Sequence, residues 1–273
     1  MQESTIVALV ALAFCSGVRA ETPTEVPPSA TMVANRRPPP SDWALSLGGG
    51  VLALPSYLGS SSILFLPLPF IAASYKDSVF LSTFDGLGVN FVTAPRVRIG
   101  VATPPELGRW ASSSDRLRGW GDISFAVSAK LFARVEIVEP IALIASVRRQ
   151  LGAANGTLVE AAASSTFPRT RHFIFSTTAS VTWANALYMQ SYFGVTPAQS
   201  AMAASYGELV PAYAASAGFR DAALTLSATV PFDRHWSLQS VVLVRLLLGD
   251  AQHSPVTERR LQPTFSGFVA YNF

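Results

Sequence analysis

The sequence is short of charge, of cysteine and of histidine, and each shortage removes a class of function. Charged residues make up 14% of the 273 positions, against about 25% in ordinary soluble domains. The formal net charge of +3 is small and dispersed along the chain, so no nucleic-acid partner is expected. The one cysteine, Cys15, lies within an N-terminal apolar run, which leaves the remainder without disulfides or thiol catalysis. His172, His235 and His253 are scattered and offer no local metal-ligand spacing. Neither a metal nor a cofactor is expected. Spanning helices are missing too, although hydrophobic residues reach 49%. The least charged stretch, 43–75, has the centre "VLALPSYLGSSSILFLPLPF". Pro55, Pro67 and Pro69 with a Ser-Gly cluster suit a membrane helix poorly.

What the chain has instead is a two-residue period. Phe265, Gly267, Val269, Tyr271 and Phe273 share one face, and Thr264, Ser266, Phe268, Ala270 and Asn272 the other, since successive strand side chains point to opposite sides. Ile123 to Leu131, Phe173 to Trp183, Leu224 to Val230 and Trp236 to Leu248 alternate in the same way. Aromatic residues gather towards the run ends, as an interfacial girdle requires. Soluble sandwiches also alternate, but low charge and runs of up to about thirteen residues fit a lipid-facing wall, whose strands need about 9–11.

The N-terminal "TIVALVALAFCSGVRA" reads as a signal peptide over 1–20, with Val18 and Ala20 at the positions a signal peptidase inspects. Its dozen or so apolar residues are too few to span a bilayer comfortably. Residues 21–41 hold six prolines and read as a disordered periplasmic segment. Residues 42–273 form the barrel. Lys76-Asp77, Ala94-Pro95, Arg134 to Glu136, Phe167 to Arg171 and Phe232 to His235 read as short inner turns. Tyr57 to Ser62, Asp85-Gly86, Pro105 to Gly119, Gly152 to Gly156, Asn185 to Ser216 and Gly249 to Gln262 read as outer loops. The expected fold is an all-β, antiparallel up-and-down transmembrane barrel of twelve strands. Ten is the alternative, should 78–84 and 86–92 be one bent strand.

Arg96, Arg98, Lys130, Arg148, Glu160 and Arg245 are the candidate lumen-facing charges. They fit either a lumen plugged by paired ions or a narrow, weakly anion-favouring pore. Phe132, Phe268 and several leucines on the same faces favour the plugged or very narrow form. Catalysis is not expected. His253, Ser254 and Asp250 are close in sequence, but neighbours on an extended chain point apart, so spacing alone makes no triad.

Four motifs, "YLGSSS" (Tyr57 to Ser62), "YFGVTPAQS" (Tyr192 to Ser200), "LLGDAQHSPV" (Leu247 to Val256) and "YNF" (Tyr271 to Phe273), together with Gly108-Arg109, resemble the MipA/OmpV family of outer-membrane barrels. The resemblance runs from Trp43 to Phe273. Read physically, Gly194 and Pro197 punctuate a turn near Tyr192, and Thr196 caps a short helix. Gly249 ends a strand, Asp250 bonds backbone donors, and Ser254-Pro255 starts an extended segment. Tyr271 and Phe273 resemble the signature read by the barrel-insertion machinery. The family implies an outer-membrane location amid lipid and lipopolysaccharide, and a non-enzymatic scaffold. Its implied partners are a lytic murein transglycosylase and a bifunctional murein synthase. The alternative is a narrow porin, or an osmotic-response or adhesion barrel. In this topology a cysteine at Ser200 reacts with an impermeant reagent on intact cells. One at Ser29 reacts only after the outer membrane is opened, and the reverse pattern would overturn the orientation.

Overall fold

The computed structural model describes residues 42–111, 117, 120–152, 154–167 and 173–273. The expected signal peptide, the proline-rich segment and His172 lie outside the described residues. The strands are β1 (Trp43–Pro55), β2 (Ile63–Tyr75), β3 (Val79–Ser82), β4 (Gly86–Ala94), β5 (Val97–Ala102), β6 (Pro105–Glu106), β7 (Ala126–Val138), β8 (Ile141–Leu151), β9 (Thr157–Thr166), β10 (Ile174–Ala184), β11 (Gly218–Pro231), β12 (Trp236–Leu247) and β13 (Leu261–Asn272). Consecutive strands pair antiparallel except β5 and β6, which both pair with β7, and β1 pairs with β13. Val97 stands opposite Val135 and Pro105 opposite Val127. That single register makes β5 and β6 one strand, interrupted at Thr103-Pro104. The result is a closed twelve-stranded barrel.

The alternation explains the closure. On β13, Gln262, Thr264, Ser266, Phe268 and Ala270 are buried in the lumen, while Phe265 and Val269 are exposed. Lumen faces elsewhere carry small hydroxyls, including Ser46, Ser128, Ser146 and Ser176. Outer faces carry Val51, Leu131, Leu143, Leu224 and Leu246. Only a closed sheet lets such a wall pair its backbone in hydrocarbon. Around the inner rim the aromatics meet one another. Trp43 lies 4.9 Å from Tyr75 and Trp236 lies 5.2 Å from Tyr271, between ring centroids, as an interfacial belt does.

Two sequence expectations need correction. Arg134 to Glu136 is not a turn. β7 runs on to Val138, and the chain reverses at Glu139-Pro140. The charge that suggested a turn points inward, where an Arg134 guanidinium N–H donates to Ser164 Oγ at 3.0 Å. The outer loop expected from Pro105 also starts later, because Pro105–Glu106 still belongs to the wall. The doubtful pair does form two strands, with β3 only four residues long.

The seam between β1 and β13 depends on inward glycines. A Cβ on Gly48 would lie 2.0 Å from the Val269 carbonyl oxygen, and one on Gly50 equally close to that of Gly267. A Cβ on Gly49, which faces outward, meets nothing within 4 Å. Gly50→Val is therefore expected to abolish the fast-migrating folded form in unheated SDS gels, whereas Gly49→Val keeps it. Equal folded fractions for the two variants would contradict the seam.

Candidate functional site: a capped, ion-filled lumen

The outer loops fold back over the barrel mouth. Helices α1 (Ala186–Phe193) and α2 (Pro197–Ser205) lie between β10 and β11, and α3 (Gly249–His253) follows β12. Asn185 caps α1 by accepting the Tyr188 N–H. Thr196 and Gln199 form a reciprocal capping box on α2 with Pro197 in its first turn, the arrangement that satisfies otherwise orphaned helix donors. Tyr188, Met189, Tyr192 and Phe193 are buried with Leu58, Leu158 and Leu247. A second layer joins Tyr57, Leu117, Trp120, Val195 and Val256.

The motif residues lock this cap. Gly194 ends α1, and a Cβ there would fall 2.1 Å from the Gln190 side-chain nitrogen. Gly249 and Asp250 begin α3 inside the outer loop expected over 249–262. The Asp250 carboxylate accepts the Ser216 N–H at 2.6 Å, and Tyr213 Oη donates to the Asp250 carbonyl at 3.4 Å. Partial burial and the Asp250 charge push the Tyr213 phenol above its ordinary pKa. Ser254 Oγ donates to the Phe193 carbonyl at 2.6 Å and accepts the Val256 N–H at 3.2 Å, just before Pro255. Its hydroxyl thus ties α1 to the last outer loop. Arg109, buried at 3% exposure, donates to the Tyr192 carbonyl at 3.2 Å and lies 5.7 Å from the Trp120 ring centre. Burial lowers its pKa to about 10, against the opposing pull of Tyr192, Tyr57 and Asp122.

Beneath the cap the lumen is crossed by ion pairs. Lys130 Nζ meets Asp85 at 3.2 Å and Arg148 meets Glu106 at 3.4 Å. Arg220 and Arg245 converge on Asp221, the latter at 3.5 Å. The Arg220 guanidinium also donates to Tyr188 Oη at 2.8 Å, joining lumen to cap. Glu106 accepts from Ser128 Oγ at 2.6 Å and from Gln150 Nε2 at 3.3 Å. Glu160 lines a cavity of about 50 Å³ beside Lys130, Arg148 and Arg245, which has room for a few water molecules.

Of the six charges read from the sequence, Lys130, Arg148, Glu160 and Arg245 come together here. Arg98 is half-buried on β5, nearer the inner rim. Arg96 is not in the lumen: it is exposed in the turn after β4, where its carbonyl accepts the Glu136 N–H at 2.8 Å. Its parity matches that of Arg98, but the wall ends at this turn and leaves the side chain exposed at the rim. Tyr271 and Phe273 stand at the inner rim, their ring centres 4.9 Å apart. The acids completing the pairs carried weak sequence signals. Asp85 sits on a hairpin tip and Glu106 on a two-residue strand. Arg220 and Asp221 are both buried because a bulge opposite Thr182/Trp183 breaks the two-residue period. Adjacent opposite charges in an apolar strand were the available hint.

The family profile described as "MltA-interacting protein MipA" matches residues 47–273. No curated protein sequence matches the chain. Among solved structures, the KdgM porin is 7% identical, with 84% of this chain and 99% of that chain covered at a TM-score of 0.40. The NanC porin is 6% identical, with 83% and 98% covered at 0.42. OmpT of Vibrio cholerae is also 6% identical, with 85% and 97% covered at 0.38.

Asp221 is 1% exposed and holds two guanidinium groups. Asp221→Asn leaves both cations without that counter-charge, a loss of about 3–5 kcal/mol for a broken buried pair. The temperature at which the folded band converts in SDS gels should fall sharply. Adding Arg245→Met should recover at least half of the loss, and an unchanged transition in the single variant would contradict the pairing.

Proposed function

Because the chain belongs to the MipA family, we propose that this outer-membrane barrel is a non-enzymatic scaffold located in the outer membrane, tethering a murein hydrolase and a murein synthase. The observation that favours a scaffold is the sealed mouth. Two buried cap layers and a lumen crossed by ion pairs leave little room for solute. A tether requires surfaces and no reaction. The surface nearest the peptidoglycan is the inner rim, which displays the exposed ion pair of Lys76 with Asp42 at 3.4 Å, together with Asp77, Arg96 and Glu139. In this reading residues 21–41, which precede β1 in the sequence, supply Arg36-Arg37 as the polar contact. The engagement of Ser254 by the Phe193 carbonyl supports a structural role for that hydroxyl.

Full-length protein solubilised from the envelope should recover a lytic murein transglycosylase and a bifunctional murein synthase. Deletion of 21–41 should reduce that recovery at least tenfold while leaving the barrel heat-modifiable. Stable single-channel conductance steps with no murein enzyme bound would favour the narrow porin instead. Lipid hydrolysis abolished by Ser254→Ala would overturn the non-enzymatic reading.

A further inference from the structure

Proline lacks an N–H, and within sheets it is confined to edges, first positions and bulges. A closed barrel should have no edge. Pro67 and Pro69 nevertheless stand two residues apart inside β2. Their direction is fixed by Ile71. Its N–H donates to Thr83 Oγ1 at 2.8 Å and its carbonyl accepts the Thr83 N–H at 3.0 Å, away from β1. Alternate residues of a strand turn their polar groups to the same neighbour, so Pro67 and Pro69 share that side. The same holds across the wall. The Thr103 N–H donates to the Leu87 carbonyl at 2.9 Å on β4, and Pro105 faces that way two residues further on. Meanwhile the Pro104 carbonyl accepts from Ser128 on β7 at 3.0 Å.

Between these edges the wall is low. β3 stops at Ser82 and β4 starts at Gly86, so their hairpin ends level with Ile71 and Thr103. Beyond it, among the described residues, no ladder joins β2 to β5 or β6. Three strand spacings separate the two edges, about 14 Å between strand axes. An orphaned N–H in hydrocarbon costs several kcal/mol. Three prolines remove three such donors from the facing edges, and a seam designed to zip would need them.

Behind the gap lies the ion network. Phe84, on the hairpin tip, packs 5.6 Å from Phe268, and its neighbour Asp85 holds Lys130. Pro104, Pro105, Phe84 and Asp85 line the same cavity as Arg148. On the β1–β2 side the lumen face is apolar, with Leu52, Leu54, Leu64, Leu66 and Leu68 in one cluster. The cap closes the axial route outward, and the gap lies beside the same cavity. We propose that the gap is a lateral opening through which an amphiphile enters from the lipid, its chain along the leucine face and its headgroup stopping at the mouth of the cavity, against the partly exposed cations of the Lys130–Asp85 and Arg148–Glu106 pairs. Lys130, Arg148 and Arg245 each have a carboxylate partner, which leaves little spare positive charge for a heavily anionic head. A zwitterionic head, with one phosphate and one ammonium group, exchanges with an ion pair one for one.

The test needs no murein enzyme and is independent of the scaffold reading. In a Cys15→Ser background, Leu68→Cys (beside the gap), Ala223→Cys (behind a closed wall) and Leu87→Cys (facing lipid) each carry a bimane. The proteins are refolded in vesicles containing nitroxide-labelled phosphatidylcholine, and folding is verified by gel migration. Quenching at Leu68 should reach at least half of that at Leu87 and exceed that at Ala223 about fivefold. Replacing the quencher with labelled phosphatidylglycerol should lower quenching at Leu68 about threefold while leaving Leu87 unchanged. Leu64→Cys substitutes if Leu68→Cys does not fold. Quenching at Leu68 no greater than at Ala223, or equal at all three sites, overturns the opening. Equal quenching at Leu68 by both lipids overturns the assigned headgroup.

Discussion

A peptide N–H or carbonyl in hydrocarbon must find a partner within the protein, and that obligation governs nearly everything in this barrel. It requires twelve strands to close through β1 and β13. It selects small inward residues at the seam, because β13 passes so near Gly48 and Gly50 that no Cβ fits. Where the wall is lowered at the β3–β4 hairpin, the same obligation is met by removing donors instead of pairing them. Residues that would spoil an ordinary strand are the ones that suit this edge.

The lumen follows a related rule. Charges taken out of water need partners, and here the partners come from different depths and different strands. Asp221 on β11 draws in Arg245 from β12, while Arg220 reaches up to Tyr188 in the cap. Loop helices and barrel interior are therefore one structure: displacing α1 would strip Arg220 of a hydrogen bond and Ser254 of its Phe193 carbonyl. A cap coupled to buried charge in this way is unlike a mobile lid.

Much of the wall was legible in the sequence because alternation maps directly onto inside and outside. Gln262 to Ala270 and Ser237 to Leu247 read correctly by parity alone. The twelve-strand count came from alternating short and long connections, even though β3 has four residues. Legibility failed where polarity had two meanings. Arg134 and Glu136 looked like turn residues because charge marks both turns and lumen, and Arg96 looked like lumen for the same reason. The bulge at Arg220–Asp221 and the hairpin tip at Asp85 break the period, so parity could not reach them. The cap helices were only half visible: the Thr196 capping signal was readable, while α3 is too short to show a period.

The seam between the first and last strands also sets how this chain can be made. Ser46 Oγ donates to Asn272 Oδ1 at 2.7 Å across 226 residues of sequence, about as non-local as a contact in this chain can be. Loop-closure entropy must be met before such a pair returns any stabilisation, so topologies of this kind fold slowly. Until β13 has been synthesised and delivered, β1 and β12 each present an unpaired edge, and the ribbon between them is an aggregation hazard. A chain that stops before Leu261 is thus no smaller barrel but an open sheet that has to be kept apart from its own copies.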